Sequence, residues 1–317
     1  MASPAESKYK QAIPLRAKVA MPALSPNQRG MMAVVLAMAA MVANDVAMKS
    51  AARSLPSFSQ LVCLRAVFAA LSAFALLALR GEAGGLRQTL RPLVLLRGAL
   101  EVAGSFFFIA AITLMPIGDA TAIIQVAPLL LLLAAAAALG ERVGLDRLLA
   151  CLVGFAGALL IAAPSGQVSP ASLLALATAG AVAAREMIAR HLGAAVPPLA
   201  LACATCLIVA AAAGAGALRP GWIWPQPFVL ALLAAAGMLL ATGYVLLTVA
   251  IRGEEVQAVA PFYYVQTIFA LAAGWLAFGD APSPESLLGI ALVLGAGIRV
   301  FSAPRLRGAT PASKQGA

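Results

Sequence analysis

The sequence predicts an all-α polytopic membrane protein, with ten transmembrane helices arranged as two inverted five-helix repeats. Three observations carry that prediction. Of the 317 residues, 62% are hydrophobic and only 11% charged, where soluble domains are roughly a quarter charged. The apolar residues gather into ten stretches, each near the ~20 helical residues that cross a bilayer core of about 30 Å. Lys and Arg favour one side of the alternating loops.

Residues 1–29 read as a polar, basic, Pro-bearing cytoplasmic tail without the hydrophobic core of a signal peptide. The first span, near 30–50, carries Asn44, Asp45 and Lys49 and no cleavage pattern, so it is expected to be retained. Spans near 57–79, 92–114, 118–139 and 145–163 complete the first set. A second set lies near 170–191, 197–217, 227–251, 255–279 and 284–303. The breaks between them hold helix stops and turn formers: Arg80-Gly81-Glu82, Met115-Pro116, Gly140-Glu141-Arg142, Pro164-Ser165-Gly166, Val196-Pro197-Pro198, Arg219-Pro220-Gly221 and Ala281-Pro282-Ser283-Pro284. The links at 115–117 and 252–254 are short enough to read equally as kinks. Residues 304–317 are expected to form a second cytoplasmic tail.

Orientation follows from the basic residues. With the N-terminus inside, inner segments hold Lys8, Lys10, Arg16, Lys18, Arg29, Arg80, Arg87, Arg91, Arg142, Arg147, Arg185, Arg190, Arg252, Arg305, Arg307 and Lys314. Outer loops hold only Arg53 and Arg219. Sixteen against two places both termini in the cytoplasm, and losing one span would scramble the asymmetry. The net charge of +10 does not indicate nucleic acid, because these residues sit between apolar runs and build no basic-aromatic surface.

With a single His, no metal site or cofactor is expected. Cys203-x-x-Cys206 has redox spacing, but at membrane depth all four cysteines read as small packing residues without disulfides. Gly154, Gly157, Gly237, Gly243, Gly295 and Gly297 read as sites of close helix approach.

The two sets resemble each other. Ala111-Ile112 and Gly140-Glu141 fall on Ala250-Ile251 and Gly279-Asp280. One residue later in register, Leu148, Gly157 and Ala163-Pro164 fall on Leu288, Gly297 and Ala303-Pro304. A five-span unit reverses direction when repeated, so the halves (30–164 and 170–303) must be inverted, a pattern of secondary transporters with a midplane site between the repeats.

The run Ala111-Ile112-Thr113-Leu114-Met115-Pro116-Ile117-Gly118-Asp119-Ala120-Thr121-Ala122-Ile123-Ile124, with Pro128 and Leu139-Gly140-Glu141-Arg142, resembles the EamA repeat of the drug/metabolite transporter superfamily. Arg65 and Gly154-Phe155-Ala156-Gly157 fit the same pattern. The second half echoes it in Ala260-Pro261-Phe262-Tyr263-Tyr264, Gly274-Trp275 and Phe278-Gly279-Asp280-Ala281-Pro282. The resemblance covers about residues 30–303. It implies two five-helix repeats around a central cavity, with the last helix of each repeat peripheral. It also implies transport of amino acids and derivatives, vitamins, nucleotide-linked compounds or drugs. Asp45, Lys49 and Met115-Pro116 look most like the branch that includes adenosylmethionine and riboflavin carriers.

Ionisable groups at depth cost at least about 2.5–3.5 kcal/mol each, so each needs a partner, water or a task. Asp45 and Lys49, four apart on one helix face, are expected to pair, with Arg65 competing for Asp45. This cluster reads either as a substrate-binding switch or as a static packing pair. Arg97 and Glu101 repeat the spacing and are expected to pair, most simply for good. Asp45 and Glu101 are the candidates for proton coupling. Arg185-Glu186 reads as structural, Asp119 as a helix-start cap, and His191 as a solvated loop residue.

The expected cavity lining is polar but mostly neutral. Gln125 lies two turns into the fourth span, and Tyr263, Tyr264, Gln266 and Thr267 sit near the middle of the ninth. Pro128 and Pro261 free backbone carbonyls there. Adjacent helical residues point about 100° apart, so one tyrosine at most is central, and the family pattern favours Tyr264. Asn44, Tyr244 and Thr248 add hydrogen bonds. The candidate substrate site is therefore Asn44, Asp45, Arg65, Gln125, Tyr244 and Tyr264, with no catalytic or metal-binding residue. Phe106-Phe107-Phe108 must turn a ring to lipid. Trp222 and Trp224, just before Pro225, read as interfacial residues.

The expected function is secondary transport of a small amino-acid, vitamin or nucleoside-like metabolite across a bacterial inner membrane by alternating access. A multidrug or lipophilic-cation exporter of the same fold is the alternative. A membrane-embedded enzyme on a lipid-like substrate is a more distant one, since no nucleotide-binding loop or catalytic cluster is visible. A functional monomer is expected, and a dimer is compatible with the same pathway.

Overall fold

The computed structural model describes residues 26–55, 57–139, 145–163, 168–192, 196–217, 222–253 and 260–302. Most of the two tails, the Gly140-Glu141-Arg142 motif, and the turns at Pro164-Ser165-Gly166 and Arg219-Pro220-Gly221 lie outside these residues, as does the side chain of Thr248.

Among the described residues the ten spans appear as eleven α-helices and a 3-10 segment. Helices α1 (Pro26–Ala52), α2 (Phe58–Leu79) and α3 (Pro92–Leu114) match the first three spans, with a 3-10 segment, Ala83–Thr89, between α2 and α3. The fourth span is interrupted, as α4 (Ile117–Ile124) and α5 (Ala127–Leu139), and α6 (Leu145–Ala162) is the fifth. Helices α7 (Pro170–Leu192), α8 (Pro198–Ala217) and α9 (Pro227–Gly253) follow. The ninth span is a 3-10 segment, Ala260–Tyr264, continued by α10 (Val265–Phe278), and α11 (Pro284–Ser302) is the tenth. Many of these helices begin on proline, whose fixed φ and missing N–H suit the first helical position. Among the described residues seven spans are long and apolar enough to cross a membrane, and Leu148–Ala162 and Phe262–Phe278 are shorter apolar helices.

One interruption and one 3-10 helix start position the site. Pro128 offers no N–H to the Ile124 carbonyl, and the chain turns at Gln125–Val126 between α4 and α5. The corresponding span of the second half starts as a 3-10 segment around Pro261. The two meet: Gln125 Nε2 donates to the Tyr263 carbonyl at 3.0 Å. Backbone carbonyls left open at membrane depth need such a partner.

Packing follows the inversion. The pairings include α1 with α9, α3 with α7, α2 with α8, α6 with α11 and α4 with α10, and α9 and α3 also pack on α2 and α8 respectively. Exchanging the halves turns α1–α9 into α7–α3 and α2–α9 into α8–α3, and returns α2–α8, α6–α11 and α4–α10 to themselves, as a pseudo-two-fold axis requires. Helices α6 and α11 stand apart from the centre and meet through glycines. A Cβ on Gly157 would lie 2.7 Å from the Gly289 carbonyl, and one on Gly289 2.6 Å from the Gly157 carbonyl. Gly237 of α9 likewise lies against the α2 backbone at Arg65, which explains it as a packing residue. Gly295 has nothing within 4 Å, so it makes no such approach. Large apolar side chains including Leu71, Phe74, Leu152, Leu159 and Leu276 face outward, as a lipid-facing surface demands.

Candidate functional site

A cavity of about 150 Å³ opens between the halves. Its wall is built from α1 (Met41, Asn44, Asp45), α2 (Arg65), α3 (Leu100, Glu101, Gly104, Ser105, Phe108) and α4 with its break (Thr121, Ile124, Gln125). The second half supplies α7 (Thr178, Val182, Arg185), α9 (Leu240, Tyr244) and α10 (Gln266). Neither α6 nor α11 contributes. Asn44, Asp45, Arg65, Glu101, Gln125 and Tyr244 are thus brought together, from four helices and the break after α4.

Tyr264 is not. It is buried, but its ring lies against Gly297 of α11, where a Cβ would overlap the phenol carbon. The 3-10 geometry of Ala260–Tyr264 turns the Tyr263 carbonyl to Gln125 and leaves Gln266, two residues on, to face the cavity. Gly297 is small because it receives this ring.

The ion pairs also differ from the i,i+4 expectation. Lys49 does not bond Asp45. It reaches Asp280 at 2.9 Å and the Met115 carbonyl at 3.1 Å, with its ammonium 4.9 Å from the centre of the Phe278 ring. Gly279, at φ 73°, explains this. As the left-handed cap of α10 it gives its N–H to Trp275, and the next N–H, of Asp280, goes to Gly274 at 3.2 Å, so the chain turns and presents the Asp280 carboxylate to Lys49. Arg53 shares the Phe278 ring at 4.8 Å. A cluster of α1, the end of α3 and the α10–α11 turn therefore bridges one end of the molecule.

Arg97 and Glu101 do not pair either. Arg97 donates to Thr205 Oγ1 at 2.7 Å on α8. Glu101 is taken by Arg185, across the α3–α7 packing, and its other oxygen accepts from the Tyr244 hydroxyl at 3.5 Å. Arg185, expected to be structural at the boundary, thus lines the cavity, with Glu186 3.3 Å from its Nε. No local spacing signals it, because its partner Glu101 lies 84 residues away on α3.

Asp45 and Arg65 are held differently. Asn44 Nδ2 donates to Asp45 Oδ1 at 2.9 Å, and Arg65 donates to Ser105 Oγ at 3.1 Å. Asp119, expected to be a cap, is buried in the first turn of α4 within hydrogen-bond reach of Ser286 on α11, away from the cavity. Of the phenylalanine run, Phe107 is turned outward and Phe108 lines the cavity. Cys203 and Cys206 are buried free thiols on α8. His191 is exposed, and Trp222 meets Trp224 edge to face at 6.4 Å on the surface. Among the described residues no cluster of His, Cys, Asp and Glu is arranged to hold a metal.

The sequence model of the EamA-like transporter family matches this chain twice, at residues 28–163 and 169–302. A riboflavin transporter of Rhizobium johnstonii is 32% identical over 219 residues, covering 69% of this chain and 72% of its own length. A pseudopaline exporter of Pseudomonas aeruginosa is 28% identical over 278 residues, covering 84% of this chain and 93% of its own. A solved crystal structure superposes with a TM-score of 0.62 over 87% of this chain and 96% of that one at 22% identity, a likeness of fold.

Proposed function

The chain belongs to the EamA-like transporter family, and from that premise we propose that it carries its small organic solute by alternating access through the cavity between the two halves. The observation that carries this reading is the place of the cavity. It lies where the interrupted span α4–α5 meets the 3-10 start of Ala260–Phe278, and both halves line it. Irregular backbone beside a polar cavity at the pseudo-two-fold is the arrangement in which two packed groups rock about a fixed site.

The bridge at Lys49–Asp280 fits such a cycle. Both side chains keep some exposure, 12% and 25%, so water assists their separation, whereas a dry ion pair would resist it. The basic-residue asymmetry supports two cytoplasmic termini in a bacterial inner membrane. One chain completes the cavity, which supports a functional monomer. Of the two proton-coupling candidates, Glu101 is held by Arg185 and Tyr244, while Asp45 has no ion-pair partner among the described residues. Asp45 is therefore the residue whose charge can change during transport. A lipophilic-cation exporter is less well supported, because the lining carries two carboxylates and two guanidinium groups and so no excess negative charge.

The test is counterflow in proteoliposomes of the full chain, with riboflavin as the first probe because of the Rhizobium relative. Saturable exchange, reduced by Asp45→Asn at equal protein, is the expected result. Flux that rises linearly and ignores solute on the far side would mean a channel and end the alternating-access reading.

A further inference from the structure

We propose that the groove between α6 and α11 holds one phospholipid of the phosphatidylethanolamine type, its phosphate on Arg299, its ammonium on Asp146 and an acyl chain along the floor. The site is separate from the central cavity, and nothing in it depends on which solute the chain carries.

The groove measures about 330 Å³ and lies on the lipid-facing side of the two peripheral helices. Glycines shape it in two ways. Gly154 and Gly157 bring α6 against α11, since a Cβ on them would lie 3.1 Å from the Ala296 Cβ and 2.7 Å from the Gly289 carbonyl. Gly295 has nothing within 4 Å, so α11 presents bare backbone there. Ala150 and Ala296 are buried and form the floor, while Leu149 and Val153 are exposed and form a wall. From Asp146 to Val153 the α6 side of the groove runs ~10 Å, at about 1.5 Å per residue. A narrow apolar trough open to the bilayer takes a hydrocarbon chain lengthwise, since water gains nothing against such walls.

The head group follows from the polar end of the trough. Asp146 lies in the first turn of α6 and Arg299 in the last turn of α11, the ends of helices 18 and 19 residues long. Helices of that length end near the head groups of a bilayer, and the basic-residue asymmetry places this end in the cytoplasmic leaflet. Arg299 donates to Asp146 at 3.1 Å, with 53% and 69% of the two side chains exposed. An ion pair so exposed holds weakly and opens readily to a competing ligand. The guanidinium has five donors, so a phosphate takes those that Asp146 leaves. The carboxylate accepts the N–H groups of a primary ammonium. A head group with a phosphate alone would set a second anion beside Asp146. A choline head group has no N–H to give. Ethanolamine phosphate satisfies both side chains and leaves the net charge of the pair unchanged.

The experiment titrates the full chain, delipidated in detergent, with dioleoyl phosphatidylethanolamine, phosphatidylcholine and phosphatidylglycerol. Native mass spectrometry counts the lipid bound, and thermal unfolding follows the linked stabilisation. The expected result is one tightly held ethanolamine lipid per chain, with an affinity about fivefold above either of the others, the scale of one exposed charged contact. Arg299→Gln should weaken all three lipids, which share the phosphate. Asp146→Asn should bring the ethanolamine lipid down to the choline one and improve binding of the glycerol one. Gly295→Leu should weaken all three by filling the trough. Without lipid, each variant should melt within about 1 °C of the parent, because the pair is exposed and Gly295 faces open space. Lowered lipid-free melting with the preference among lipids intact would make the pair a structural contact and overturn the proposal. Equal binding of the three lipids, or a preference for phosphatidylglycerol, would overturn it as well. So would an ethanolamine preference that survives both Asp146→Asn and Gly295→Leu.

Discussion

Replacing Arg185 by Gln isolates the contribution of the strongest charge contact in the cavity. The substitution leaves Glu101 facing α7 without its guanidinium, with only the longer Tyr244 hydroxyl bond at 3.5 Å and Arg97 committed to Thr205. Breaking a buried ion pair from one side costs about 3–5 kcal/mol, because the remaining charge keeps its desolvation penalty. Here the pair borders a cavity and keeps 19% and 15% side-chain exposure, so water reaches it and the low end, about 3 kcal/mol, is the expected figure. For a large domain 1 kcal/mol moves the melting temperature by ~2 °C, so detergent-solubilised Arg185→Gln should melt about 6 °C lower. Glu101→Gln should cost less, since a guanidinium at the cavity wall is the more easily hydrated partner left behind. The double variant should recover at least half of the larger loss, because two amides carry no unpaired charge. Thermal unfolding of the four proteins at one detergent concentration gives the cycle. Single variants within 1 °C of the parent would refute the pair as a stabilising contact, and strictly additive losses would show that Glu101 and Arg185 do not act on each other.

Three further outcomes are expected. Gly157→Val should lower the melting temperature by several degrees, since an added Cβ meets the Gly289 carbonyl at 2.7 Å and overpacking costs about 1–3 kcal/mol; Gly295→Ala, with open space around it, should leave it unchanged, and equal effects would contradict the α6–α11 packing. Gln125→Leu orphans the Tyr263 carbonyl at about 1–3 kcal/mol, and should reduce counterflow with membrane abundance intact; normal exchange would remove this link from the cycle. Asp45→Asn should impair transport more than Asp119→Asn at equal abundance, because Asp45 lines the cavity and Asp119 faces Ser286 on α11; equal, near-normal rates would take Asp45 out of the mechanism.

Much of this protein was legible in one dimension, for a physical reason. Hydrocarbon forces every backbone group into a helix or onto a partner, so runs of apolar residues between Pro, Gly and charged breaks mark the spans directly. The same constraint singled out Asn44, Asp45, Arg65, Glu101, Gln125 and Tyr244, because polar groups at depth are costly and must converge on something. Inversion of the halves followed from an odd number of spans per repeat. Pro128, read from the sequence as freeing a backbone carbonyl, lies beside the break between α4 and α5.

Partnership was decided only in three dimensions. Local spacing offered Asp45 to Lys49 and Glu101 to Arg97, contacts worth a few tenths of a kcal/mol along one helix. The tertiary structure offered larger returns to each long side chain: Asp280, a carbonyl and an aromatic ring to Lys49, Thr205 to Arg97, and Arg185 to Glu101. Rotation was decided in the same way. Whether Tyr264 or Gln266 meets the cavity depends on a few 3-10 residues before α10, and a change of tens of degrees there sends the tyrosine to Gly297 instead. Apolar patterning determines which segments enter the bilayer, since solvation acts on each segment by itself. It does not determine which buried charges meet, since that energy depends on contacts between helices far apart in the chain.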